Sequence, residues 1–200
     1  SIHMSLKKRQ SDLLKLIKST AEAFCEDLTS MLGIEIECED FTSGTGTLES
    51  VQEQFSKKIV ALNQVQAQGD MEGSFHWLFD QTGLFVLPGV IIMLPEARIL
   101  EQAKKGKLDD ALPLSDSIKE IGNLLVGSAD RVFRSDMVGH KHLLQTNAFI
   151  GEAWENTEES FHLDPAEECY WITCTFSVCS YPEFKSTVVF PLSMIEEKSE

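Results

Sequence analysis

The chain has 200 residues, 42% hydrophobic and 24% charged, which suffices for one domain with a sizeable core. Its formal net charge is −15, from 32 Asp and Glu against 17 Lys and Arg. Such a chain repels nucleic acid and anionic membrane, which argues against phosphate-backbone binding and leaves room for a partner met through its own Lys or Arg.

The opening SIHM reads as an expression remnant before Met4, so residues 1–3 are set aside and one domain is expected over residues 4–195. In SLKKRQSDLLKLIK the apolar residues are broken by Lys and Asp, which rules out a signal-peptide core. From Leu6 to Leu32, Leu13, Leu14, Ile17, Ala21, Phe24, Leu28 and Leu32 recur with a helical period, and Gly33 follows as a C-terminal cap. IEIECEDF alternates strictly, with Ile34, Ile36 and Cys38 inward, and predicts a half-buried strand. Thr42 to Ser50 reads as a loop. Strands are predicted over Lys58–Gln66 and Glu72–Phe79, joined by a hairpin turn at AQGD. The longest apolar run, Gly83–Leu94, contains Pro88 and Gly89 and is too short to span a bilayer, so it reads as a buried connection or short helix.

A helix over Pro95–Lys105 starts with Pro and stops at Gly106. KLDDALPL reads as a loop into a helix from Ser115 to about Ser135. His140–Ile150 holds a short strand, LLQTNAFI, and the acidic stretch Gly151–Glu168 reads as a surface loop or hairpin tip. CYWITCTFSVCS and FKSTVVFPLSM form an antiparallel pair around YPE, and the tail from Ile195 is expected to fray. The order predicts an α+β fold whose largely antiparallel sheet has about six strands with long helices packed on it. Its two helix–strand halves echo each other faintly.

Most candidate chemistry dissolves on inspection. The five cysteines include no CxxC and read as reduced thiols packed as small apolar residues, so no zinc site is expected. GTGT (Gly44–Thr47) meets neither phosphate-loop spacing and reads as a flexible loop. His140 and His142 share a side only on a strand, lack a third ligand at a recognisable spacing, and read as surface histidines. No G-x-S-x-G elbow occurs.

The helix around DSIKEIGN is different. At about 100° per residue, Leu114, Ile118, Ile121, Leu125, Ala129 and Val132 gather on one side. Asp116, Glu120, Asn123, Gly127, Asp130 and Arg134 fall opposite, which makes Glu120 and Asn123 neighbours on the outer ridge. Leu124 and Val126 flank that ridge, and Gly127 removes bulk from its middle, so a second protein could approach closely. From spacing alone, a plain solvated face is the better reading of the pattern.

Asp116, Glu120 and Asn123 match Asp/Ser-x3-Glu-x2-Asn, and here the chain resembles the CheC/CheX/FliY family of bacterial chemotaxis phosphatases. The resemblance implies a pseudo-twofold fold with the signature helix exposed on the sheet. It also implies removal of the aspartyl phosphate from a CheY-like response regulator. In that reading Asn123 orients the attacking water and Glu120 pairs with the regulator's Lys, while Asp116, Leu124 and Gly127 help to seat the partner. No cofactor of its own is implied, the Mg²⁺ belonging to the receiver, and no metal ligand is expected on this chain. A homodimer is implied by resemblance to CheX, and the protein is expected to be cytoplasmic. The family signature continues to a Pro near the position of Thr146, which departs from it. The first long helix, at STAEAFCEDLT, has Glu22 and Glu26 without a matching Asn, so a single signature is present, as in CheX. Two other classes stay open: a non-catalytic binding or scaffold protein of the same fold, and a small-molecule-binding domain that happens to carry the motif.

Overall fold

The computed structural model describes residues 2–196, with side chains from residue 5 onward; Ser1 and residues 197–200, parts of the expected remnant and tail, lie outside the described residues. Helix α1 (Ile2–Leu32) buries Leu13, Leu16, Ile17, Ala21, Phe24 and Leu28. It ends at Gly33, whose φ of +67° is the left-handed cap conformation that glycine adopts without strain. Leu32, expected on the apolar stripe, is exposed.

Strand β1 (Ile36–Gly46) runs through most of the segment expected to be a loop, and α2 (Leu48–Gln52) takes up the rest. Cross-strand pairing with β5 supplies what local composition does not: the ladder resumes at Thr42 after an irregularity at Glu39–Thr42, where Asp40 has φ +56°. Strands β2 (Val60–Gly69) and β3 (Gly73–Phe79) form the expected hairpin. Helices α3 (Gln81–Ile91) and α4 (Glu96–Lys105) follow, and Asp80 caps α3 by accepting from the Gly83 N–H at 2.9 Å. KLDDALPL is not a loop but a short α5 (Leu108–Ala111) and a 3₁₀ turn (Leu112–Leu114), because Ala111 and Leu114 are drawn into the core.

Helix α6 (Ser115–Asp136) and the longer-than-expected β4 (His140–Gly151) come next. The acidic stretch after β4 contains α7 (Thr157–Phe161) and inserts Ala153 and Phe161 into a core, so it is a cover and not a free loop. Strands β5 (Cys169–Val178) and β6 (Phe184–Pro191) pair antiparallel, and α8 (Leu192–Ile195) docks the buried Ile195 where fraying was expected. All five thiols are free, but only Cys25, Cys169 and Cys174 are buried; Cys38 is half-buried and Cys179 exposed, beyond the end of β5.

All six strands join one antiparallel sheet in the order β1-β5-β6-β3-β2-β4. Reading this order backwards while exchanging the first three strands for the last three returns the same order. The two halves, α1-β1-β2-β3 and α6-β4-β5-β6, are therefore related by a pseudo-twofold, and β1 and β4 are the two edges. α1 and α6 pack on each other and close the larger core over one sheet face. The opposite face carries a smaller core of Leu48, Val51, Leu62, Leu78, Phe161 and Val189 under α2 and α7. His76 sits on that second face at 2% exposure, edge-on to Phe161 at 5.2 Å, and among the described residues neither of its ring nitrogens has a hydrogen-bond partner. Burial, and secondarily the nearby His162, push its pKa down to about 3.

Candidate functional site

α6 lies along the edge strand β4 with its apolar stripe, Ile118, Ile121, Leu125, Ala129 and Phe133, buried. Asp116, Glu120 and Asn123 are exposed on the outer side, and Leu124 and Gly127 are half-buried beside them. A Cβ at Gly127 would meet nothing within 4 Å, so the ridge is open there. Val126 does not flank the ridge as expected: it is 5% exposed and belongs to the core.

Gly122, beside Asn123, is the tight position. A Cβ there would fall 1.9 Å from Gln145 Oε1 and 2.2 Å from Asn63 Nδ2, because these two amides lie directly over the glycine. Asn63, on β2 and 1% exposed, donates from Nδ2 to Gln145 Oε1 at 2.8 Å. Gln145, on β4, donates in turn from Nε2 to Asn123 Oδ1 and to the Lys119 carbonyl, both at 3.0 Å. The carbonyl oxygen of Asn123 is thus committed inward, and its NH₂ is the end left for a partner. This chain of amides was not read from the sequence. Its one local signal is a pair of polar residues, Asn63 and Gln145, on strands that otherwise turn apolar side chains inward.

Thr146, which stands near the family's Pro, is the extra residue of a β-bulge. The β2–β4 register passes from Asn147↔Gln64 to Gln145↔Val65 and leaves Thr146 without a ladder partner. A bulge on an edge strand is one of the few sheet positions that tolerates Pro, so Thr here removes no pairing that Pro would have supplied. The extra residue also resets the alternation. Leu143 and Gln145 face the helix layer before it, and Ala148 and Ile150 face that layer after it. Without the bulge, Gln145 and Ile150 could not both point inward.

A second tie holds α6 to β4 two turns further on. Asp130, expected on the outer ridge, instead turns toward the strand and accepts from the Leu143 N–H (2.9 Å), His140 Nε2 (2.8 Å) and Arg134 Nε (2.9 Å). Burial acts to raise its pKa, but the hydrogen bonds from His140, Arg134 and Leu143 outweigh that and hold it below the usual carboxylate range. His140 is not a surface histidine, since its side chain is 3% exposed against Asp130 and Phe133. His142 remains partly exposed beside Arg134. Among the described residues no three His, Cys, Asp or Glu side chains converge as a metal site.

The counterpart helix α1 carries different chemistry. Sliding its burial pattern onto α6 pairs Leu13, Leu16, Ile17, Thr20, Ala21, Phe24 and Leu28 with Ile118, Ile121, Gly122, Leu125, Val126, Ala129 and Phe133, all buried. In that register Lys15 and Lys18 occupy the places of Glu120 and Asn123. Ile17 stands where Gly122 makes room for the amides.

No family model and no curated protein matches the chain at the sequence level. Solved structures match almost all of it. FliY from Thermotoga maritima superposes with a TM-score of 0.75 at 14% identity, covering 94% of this chain and 92% of that one. A chain of the FliG–FliM complex from H. pylori gives 0.72 at 12% identity, over 96% and 99%. A chain of the CheX–CheY–BeF3–Mg+2 complex from Borrelia burgdorferi gives 0.51 at 16% identity, over 87% and 96%. The six-stranded sheet with its paired long helices is the fold of the CheC, CheX and FliY chemotaxis proteins, shared with the FliM middle domain. Among the described residues no helix is long and apolar enough to cross a membrane.

Proposed function

We propose that this chain, built on the CheC/CheX/FliY fold, removes the aspartyl phosphate from a CheY-like response regulator. One observation carries the reading: Glu120 and Asn123 stand exposed one turn apart, and the Asn123 amide is held NH₂-outward by Gln145. An exposed ridge made only for solvent has no use for an amide whose orientation is secured by a partner that is itself tied to the buried Asn63. A phosphorylated receiver supplies its own Mg²⁺ and Lys and lacks a water held in line with the P–O bond. Asn123 entering that site donates to the water oxygen and leaves its other lone pair for phosphorus, while Glu120 pairs with the receiver's Lys and sets the register. A hundredfold acceleration by such positioning corresponds to about 2.7 kcal/mol. That a CheX structure of this fold was solved with CheY supports the choice of partner class. The test is phosphate release from a phosphorylated receiver of the same organism: the protein should accelerate it, and an unchanged rate at saturating protein ends the proposal.

A second reading is favoured by the FliM neighbours, which share the fold over nearly their whole length. In it the chain binds a partner as a scaffold, with no chemistry at Asn123. Receiver binding without acceleration, unaffected by Asn123→Ala, would select this reading.

A further inference from the structure

At the end of the sheet where α6 begins, a cleft of about 420 Å³ is lined by Lys57, Lys58, Lys104, Lys105 and Lys107, with Glu152 its only carboxylate among the described residues. Five of the chain's 17 Lys and Arg thus converge from two distant segments of a protein whose net charge is −15. All five are exposed, and among the described residues none of them makes an ion pair, although Arg9, Arg131 and Arg134 each find an Asp. Of the two acids on α5, Asp109 and Asp110, the second turns back to cap the Lys107 backbone N–H at 2.9 Å.

The platform beneath these ammonium groups is fixed. Gln81, 5% exposed at the start of α3, donates to the Gly106 carbonyl at 3.2 Å and pins the link that carries Lys104, Lys105 and Lys107. A Cβ at Gly106 would strike Phe85 at 2.5 Å, so this link is seated against the core. Ile59, 8% exposed, and Leu108, 38% exposed, add an apolar strip to the lining. Like charges gathered on a fixed frame repel one another, and an anion brought between them relieves that repulsion. The lining itself sets five ammonium groups against one carboxylate, opposite in sign to the net charge of the whole chain, and carboxylates more than about 8–10 Å away are screened at physiological salt.

We propose that this cleft docks an acidic segment of a protein partner, Asp and Glu residues flanking an apolar one. Lysines are flexible point charges, and an open rim of them over an apolar strip suits a charge-dense peptide. A discrete phosphate is best matched by planar Arg forks, and among the described residues no Arg lines the cleft. The inference stands apart from the receiver reading and survives its failure.

The experiment titrates the full chain into a fluorescein-labelled peptide alternating Glu and Leu, with its Lys-for-Glu counterpart as control, and reads anisotropy at low and high salt. Saturable binding of the acidic peptide alone is expected, weakened by salt. It should weaken roughly tenfold or more when all five lysines are changed to Gln. A Lys57→Gln/Lys58→Gln variant, which leaves α4 and α5 untouched, should show part of that loss with an unchanged melting temperature. No saturable binding, or equal binding by the five-Gln variant, overturns the proposal. So does inorganic tripolyphosphate binding at these lysines while the peptide does not bind.

Discussion

Alanine introduced at two glycines of the same helix should act with opposite sign. Gly122 and Gly127 are both interior to α6 and neither has a positive φ, so each substitution gains up to about 1 kcal/mol of helix propensity. At Gly127 the new methyl meets nothing, and Gly127→Ala should be stabilising by about that amount. At Gly122 the methyl lands on Gln145 Oε1 and Asn63 Nδ2. Gln145 is half-exposed and can swing out, but Asn63 is 1% exposed and its Oδ1 already has no partner. Losing Gln145 leaves both ends of a buried amide unsatisfied, which costs roughly 1–3 kcal/mol. Because the propensity gain is common to both, that cost is the least difference expected between the variants, and moving the buried Asn63 off the methyl adds to it. For a chain of this size it is a gap of several °C in melting temperature, at about 2–4 °C per kcal/mol. Urea denaturation of the two variants side by side measures it. In single-turnover dephosphorylation Gly122→Ala should also be slow, with Glu120 and Asn123 both intact, because the carboxamide has lost the partner that orients it. A Gly122→Ala protein as stable as Gly127→Ala would refute the amide chain as a structural element.

Three further outcomes are expected. Asn123→Ala should change stability by less than about 1 kcal/mol, since Gln145 keeps the Lys119 carbonyl, yet remove most of the acceleration in single-turnover dephosphorylation; a wild-type rate there would make Asn123 part of a wet face. Glu120→Lys should sharply weaken receiver binding and reverse its salt dependence, and unchanged affinity would show that Glu120 is not the anchor. His76 is held neutral, with a folded pKa near 3 against an ordinary value of 6.5, so the unfolded chain takes up its proton first. Its contribution is whole above pH 6.5 and is lost as pH falls toward 3, amounting to about 2 kcal/mol at pH 5. Urea titrations at pH 7.5 and pH 5 should show that difference shrink in His76→Leu, and an equal pH response in both proteins would contradict it.

The period of α6 by itself determined which side of the helix is wet, because burial of Ile118, Ile121 and Leu125 leaves Glu120 and Asn123 no other direction to face. Alternation and turn residues likewise located the cores of the strands and the antiparallel character of the sheet. Those are local properties, set within one or two turns of chain by side-chain size and polarity. What the sequence could not disclose depends on partners distant along it. β1 continues past Asp40 because β5 offers it a ladder, and KLDDALPL winds into helical turns because the core accepts Ala111 and Leu114. Asn63 and Gln145 meet over Gly122 only after β2 and β4 pair in a register that the bulge at Thr146 shifts by one residue. The five cleft lysines come from two segments separated in sequence by β2, β3, α3 and most of α4, and they share a cleft only because the fold brings the start of β2 beside the end of α4. Hydrophobic periodicity records which way a residue faces; only the assembled sheet decides what it faces, since hydrogen bonds and like-charge fields are set by distances in space.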